Sequence, residues 1–332
     1  MAEFILGNSL RKLARARPTL QKALWRLDYC LIWLLVKGFG IVPIDNASGL
    51  GNRVGRWIGP RLRKKSKIFR ANLAVAFPEK SAAELAELER RAWGQAGRVL
   101  AEYTHLEELY RDHERMQLEI LEPVETYRHP EVPAVFVGAH LSNWEIMAAA
   151  IARMGIPFAS LYSPPTNPLL DRMLRDSRQA LNCELLPRDN STRALLRCLH
   201  DGRSVGMVID RRVDEGSPVP FFGADKLSTL VPARLALKHG CDMVPVRVLR
   251  LGGARFRVLF YPPVRPADAA ADAAEQAGDM TRQVHRLFEE WIHEQPEDWF
   301  CSKRMWAKRK IAPPESAVAA DQRCNGAGPD RM

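Results

Sequence analysis

From residue 134 onward, short apolar runs alternate with stretches of helical periodicity, and few folds accept that pattern. Ala134–Gly138 reads as a buried strand, Ser142–Met154 as a helix stopped by Gly155, Phe158–Tyr162 as a strand and Pro168–Leu181 as a helix. Thr192–Leu199 follows as a helix, Ser204–Asp210 as a strand, and Leu230–Lys238 as a helix closed by Gly240. Asp242–Leu249 and Arg255–Tyr261 read as strands around Gly252-Gly253, a hairpin signal. Ala267–Glu294 ends the series as a long helix. Strands alternating with helices, some apolar throughout, bury both faces of a sheet. The expectation is an α/β fold with a central mixed β-sheet flanked by helices.

The first 45 residues are of another kind. Arg11, Lys12, Arg15, Arg17, Lys22 and Arg26 form a basic arm, followed by an apolar stretch from Tyr29 to Ile44 that Lys37 interrupts and Pro43 ends. No cleavage site of signal-peptide type is visible. Trp25, Tyr29 and Trp33 suit a membrane interface, so residues 1–45 are expected to be a membrane anchor or interfacial helix. A buried helix of a soluble domain is the alternative. A second basic cluster runs through Arg61, Arg63, Lys64, Lys65, Lys67 and Arg70. Pro78 and the capping box Ser81-x-x-Glu84 open a long helix expected to reach about Met116. Residues 46–310 would form the α/β domain, and 311–332, poor in apolar residues, a disordered tail.

The balance of 49 Lys and Arg against 39 Asp and Glu gives a net charge of +10, which suits an anionic partner. Nucleic acid is disfavoured, because the basic clusters lack interleaved aromatics for stacking. The six cysteines are scattered with no C-x-x-C pair, so neither a zinc site nor a disulfide framework is expected. No apolar run reaches the ~18–20 residues of a clean membrane span.

Gly49-x-Gly51-x-x-x-Gly55 is a poor dinucleotide loop, since no strand precedes it and Asn72 stands where an acid would be needed. There is no phosphate-binding P-loop and no G-x-S-x-G elbow. The informative segment is Val135-Phe-Val-Gly-Ala-His140-Leu-Ser-Asn-Trp-Glu145. A buried strand ends, Gly138 permits a turn, and His140 falls at the carboxyl edge of the sheet, where α/β folds bind ligands. Glu145, around one turn of the following helix, could orient a His base, although Ser142-x-x-Glu145 is also a capping box. Spacing alone is weak: chance gives about one such pair, and His285/Glu290 and His293/Asp298 share it. Both of these lie at the final helix with no strand before them and read as solvated faces.

Further blocks sharpen this reading. Asn72-Leu-Ala-Val-Ala-Phe-Pro-Glu79, Tyr162-Ser-Pro-Pro-Thr-Asn-Pro-Leu-Leu-Asp171, Asp210 followed by Val219-Pro-Phe-Phe-Gly223, and Val244-Pro-Val246 occur in order. With His140 and Glu145, they resemble the lysophospholipid-acyltransferase-like superfamily. Within it, the likeness is to the late lauroyl/myristoyl acyltransferases of lipid A biosynthesis, over about residues 20–310. Ser163 stands where many relatives have Arg, and Trp299–Trp306 follows the family's terminal motif only in part.

The resemblance implies a glycerol-3-phosphate-acyltransferase-like fold and transfer of a fatty acyl chain from acyl carrier protein to a lipid A precursor hydroxyl. It implies His140 as general base paired with Glu145, no metal, no cofactor, and a place on the cytoplasmic side of the inner membrane. Arg178, Arg211 and Arg212 are candidates for anionic groups of the acceptor, and Asp210 for site support. Two rivals remain: an acyltransferase acting on a glycerophospholipid or other glycolipid, and a non-catalytic basic membrane-associated binding protein.

Overall fold

The computed structural model describes residues 10–178, 181, 183–189 and 191–306. The tail expected at 311–332 lies outside them. Six helices come first: α1 (Arg11–Ala16), α2 (Pro18–Ile41), α3 (Ile44–Ile58), α4 (Arg63–Ala76), α5 (Ala82–Glu102) and α6 (Leu106–Arg111). Then follow β1 (Met116–Ile120), β2 (Val135–Gly138), α7 (Ile146–Arg153), β3 (Phe158–Tyr162), α8 (Pro168–Arg178), β4 (Cys183–Pro187), α9 (Thr192–His200) and β5 (Ser204–Val208). A hairpin of β6 (Ser217–Phe221) and β7 (Ala224–Ser228) precedes α10 (Val231–His239), β8 (Met243–Gly252), β9 (Arg255–Phe260) and α11 (Ala273–Glu294).

The main sheet has seven strands in the order β1-β9-β8-β2-β5-β3-β4. The five from β8 to β4 are mutually parallel. Strand β9 pairs antiparallel with β8, and β1 is parallel to β9. The sheet is therefore mixed, with helices on both faces. Along β2, Val135 and Val137 enter a core built with α4, α5, α10 and α11, whereas Phe136 enters a second core with α6 and α7. This period-2 partition of an all-apolar strand is the signature of burial on both faces.

Several expectations shift. The helix opened by Ser81 has its full capping box, but it ends at Glu102, and Met116–Ile120 is an edge strand. Its alternating burial suits an edge, which the continuing helical pattern had masked. Strand β4 and the hairpin β6–β7 were not foreseen. The hairpin turns on Phe222 and Gly223, both at positive φ, which is the two-residue geometry that fits strand twist. The helix expected from Ser142 starts only at Ile146, and the final helix starts at Ala273, where the Asp272 side chain accepts from the Ala274 and Glu275 amides. His285 is not on a solvated face: it is buried, with Nδ1 2.9 Å from the Pro220 carbonyl oxygen.

Gly51 and Gly55 line the seam between α3 and α5. A Cβ on Gly51 would run into the Gly97 carbonyl, and one on Gly55 into that of Trp93. These glycines serve helix packing. Among the described residues, no helix is long and apolar enough to cross a membrane. Helix α2 nevertheless exposes Leu27, Trp33, Leu34, Leu35 and Ile41. It is fastened by the Asn167 side chain, which donates to the Trp25 carbonyl (2.8 Å), and by contact of His105 Nε2 with the Phe39 carbonyl (3.1 Å).

Candidate active site

The parallel strands present their carboxyl ends at one edge, and β2 delivers His140 there. Its Nδ1 lies 2.5 Å from Oδ1 of Asp210, which follows the neighbouring strand β5. The other oxygen, Oδ2, accepts from the Trp299 indole (3.1 Å). Behind this pair Lys226 of β7 is fully buried. Its Nζ donates to the Asp210 carbonyl (2.5 Å) and lies 4.1 Å from the Phe221 ring centre. Burial opposes ionisation of Asp210, yet His140, Arg211 and Lys226 together hold its carboxyl well below the usual range. Burial likewise pushes Lys226 down to about 7, against the pull of Asp210 and Glu289. Burial also lowers the His140 pKa, with Asp210 opposing. An imidazole held at Nδ1 by a carboxylate carries its proton there and keeps a lone pair at Nε2. Among the described residues, His140 Nε2 makes no hydrogen bond.

The carboxylate expected to hold His140 is turned elsewhere. Glu145 Oε2 bonds Arg178, and Oε1 accepts from the Trp144 indole (3.0 Å). Arg178 also donates to the Tyr103 hydroxyl (3.1 Å), and although burial disfavours its charge, Glu145 and Tyr103 raise its pKa. Its charge is thus matched inside the protein. Arg212 pairs with Asp214 (3.1 Å). Arg211 forms no ion pair with another side chain within salt-bridge distance among the described residues. The six candidates therefore divide: His140 and Asp210 are joined, Glu145 and Arg178 form a second pair, and Arg211 and Arg212 follow Asp210 in the chain without bonding it.

Residues 140–145 make a tight loop rather than a helix start. Ser142 has φ 51°, a left-handed conformation uncommon outside glycine, and its buried Oγ has no hydrogen-bond partner. The last described segment pins this loop: the Phe300 amide donates to the His140 carbonyl (2.9 Å) and the Ser142 amide to that of Asp298 (3.0 Å). Asn72 of α4 locks the same segment, donating to the carbonyls of Cys301 and Lys303 (both 2.6 Å) and accepting from the Met305 amide (3.2 Å). Asn143 donates to Glu102 (2.9 Å), a fully buried acid that Arg250 grips with both terminal nitrogens (2.6 and 2.9 Å) and that Ser48 also bonds (2.5 Å).

Sequence reasoning missed Lys226, Glu102 and Arg250, and it gave Trp299 a place in a terminal block but no role at Asp210. The blocks containing Asn72 and Asn167 did carry a signal, and both asparagines prove to be clamps between distant segments. The arrangement supplies a desolvated, oriented base with a free nitrogen at the sheet edge, which suits removing a proton from a hydroxyl.

Residues 17–308 match the family described as bacterial lipid A biosynthesis acyltransferase. The chain is 24% identical over 281 residues to the lipid A biosynthesis palmitoleoyltransferase of Escherichia coli, covering 79% of this chain and 90% of that protein. It is 24% identical over 310 residues to the lauroyltransferase of the same organism (89% and 95% covered). It is also 25% identical over 294 residues to the phosphatidylinositol mannoside acyltransferase of Mycolicibacterium smegmatis (84% and 90% covered). With the match spanning nearly all described residues, the chain is an acyltransferase and belongs to the bacterial lipid A biosynthesis acyltransferase family.

Proposed function

We propose that this protein transfers a fatty acyl chain from acyl carrier protein to a hydroxyl of a lipid A precursor. The observation that carries the chemistry is the His140–Asp210 contact at 2.5 Å, with Nε2 left open. His140 Nε2 takes the proton of the acceptor hydroxyl as its oxygen attacks the thioester carbonyl. The tetrahedral intermediate then collapses, the C–S bond breaks, and the leaving sulfur takes the proton from His140. An ester and a thiol result. Asp210 holds the tautomer and stabilises the imidazolium. Glu145 adds negative charge near His140 and holds Arg178, and Arg211 and Arg212 meet anionic groups of the substrates.

The exposed apolar residues of α2, with Lys12, Arg15, Arg17, Lys22 and Arg26 around it, support contact of residues 1–45 with the inner membrane from the cytoplasmic side. An acidic carrier and an anionic lipid both suit the charge of +10, and both contacts should weaken with salt.

The test is acyl transfer from a mixed set of carrier-protein thioesters to a lipid A precursor. Transfer by the wild type, abolished in folded His140→Ala, is expected. Activity surviving in His140→Ala overturns the mechanism. The similarity to the mannoside acyltransferase favours one second reading, another glycolipid as acceptor. Lipid profiling of a deletion strain separates the two: under-acylated lipid A supports the first, an altered different glycolipid the second.

A further inference from the structure

Asp210 is not the only side chain in contact with the His140 ring. The indole of Trp144 lies against it, with ring centres 5.2 Å apart and planes tilted by 59°. Phe300 stacks on the same indole, 5.9 Å between centres and 11° between planes, and the Phe300 amide donates to the His140 carbonyl. These three residues close a triangle of two ring contacts and one backbone bond. The indole is itself held. Its Nε1 donates to Glu145 Oε1 (3.0 Å), and Glu145 Oε2 bonds the buried Arg178. Trp93 packs edge-on against Phe300 at 5.6 Å. Trp291 and Trp299 are fully covered in the core, whereas Trp144 stays part-exposed beside the base. Bulk alone needs no donor on the ring, yet the N–H of Trp144 is used.

We infer that Trp144 is a positioning residue for the base: its ring fixes the plane of the His140 imidazole and favours the imidazolium formed when the acceptor hydroxyl loses its proton. Asp210 holds the imidazole through one nitrogen, and a ring held there alone can still tilt. A second contact removes the tilt and keeps Nε2 aimed at the reacting hydroxyl. The electrons of an indole ring attract a cation within about 6 Å of its centre. The positive point on the indole rim, its N–H, is turned to Glu145, whose charge offsets it. The contact therefore favours imidazolium over neutral imidazole, so it strengthens as the transition state forms. Glu145 then serves the base through the indole without touching it. Burial is the main influence lowering the His140 pKa; Asp210 and Glu145 oppose it, and Arg211 adds to it. Lys226 of β7 reaches only the Asp210 carbonyl, and the last described segment meets the pair through the uncharged Trp299 and Phe300. The kinetic consequence rests on the acyl-transfer reading above, whereas the effect on the imidazole does not.

The experiment has a titration arm and a kinetic arm, both on the full chain, with melting curves to establish that each variant folds. Trp144→Leu and Trp144→Met remove the ring, so that one serves if the other does not fold. Trp144→Phe keeps a ring without the N–H. In the first arm His140 is titrated by NMR, its ring signal identified by its loss in His140→Ala. The ring-less variants should lower the His140 pKa by about half a unit, and Trp144→Phe should recover part of that shift. A pKa that is unchanged or raised in a folded ring-less variant overturns the proposal. In the second arm the ring-less variants should lower kcat about tenfold with KM little altered, and Trp144→Phe should be the more active. The acid limb of kcat/KM should move down with the pKa. A loss of kcat that is equal in Trp144→Phe and the ring-less variants, with the acid limb unmoved, means that the side chain only fills space, and the proposal falls. Absence of transfer by the wild type removes the acyl-transfer reading, while the NMR titration still decides what Trp144 does to His140.

Discussion

Two fully buried acids, Glu102 and Asp210, bond the His140–Glu145 loop, and their partners differ in kind. Glu102 is met by Arg250 through two nitrogens, with Ser48 and Asn143 completing its shell. A guanidinium does not give up its proton, so Arg250 cannot pass one on. Asp210 is met by an imidazole, an indole and, at its carbonyl, an amine pushed down to about 7. An imidazole and an amine, unlike a guanidinium, can each gain or lose a proton. Both clusters fix the loop, but only the second can take part in moving a proton.

Breaking each side should have separable effects. The largest falls on His140→Ala, where kcat should drop by about 10³–10⁴-fold with the melting temperature little altered, as single-turnover assays would register. Next comes Glu102→Ala, which strands Arg250 as a buried charge. Denaturant unfolding should reveal a loss of about 3–5 kcal/mol, and an unchanged midpoint would refute the structural role assigned here. Asp210→Asn keeps the shape but loses the carboxylate, and kcat should fall by about 10²–10³-fold, with much less effect on stability than Glu102→Ala.

The smallest effects concern titration. Burial lowers the His140 pKa, so the base stays neutral to lower pH than a free imidazole. The acid limb of kcat/KM should therefore lie below pH 6.5, and a limb above that value would contradict the burial argument. Lys226 titrates at about 7 in the folded protein against 10.5 ordinarily. Between these values the unfolded chain binds more protons, so wild-type stability should rise with pH by up to about 1.4 kcal/mol per unit. Lys226→Met should flatten that slope, which unfolding at pH 7.5 and 9.5 would test.

What could be read in advance followed local pattern. Strand β2, the turn after it and His140 came from one apolar run and its ending, and the sheet class came from alternation. Strand β1 was hidden because Met116-Gln-Leu-Glu-Ile120 continues an amphipathic pattern, and only pairing with β9 makes it extended. Glu145 drew attention as the acid nearest His140 in sequence. Asp210 is the acid nearest in space because β5 happens to pair with β2, seventy residues away. Lys226 left no trace at all, since a lysine in a polar hairpin reads as solvent-facing until the chain folds over it.

The stitching of the loop to residues 298–300 also orders events during synthesis. His140 emerges from the ribosome long before the amides and carbonyls that pin its loop, and Trp299, which completes the Asp210 shell, comes equally late. A nascent chain halted before this segment has every strand of the main sheet but neither the pins on the His140 loop nor the indole on Asp210. A chain ending before residue 298 should therefore carry His140 and Asp210 without the contacts that hold them in register.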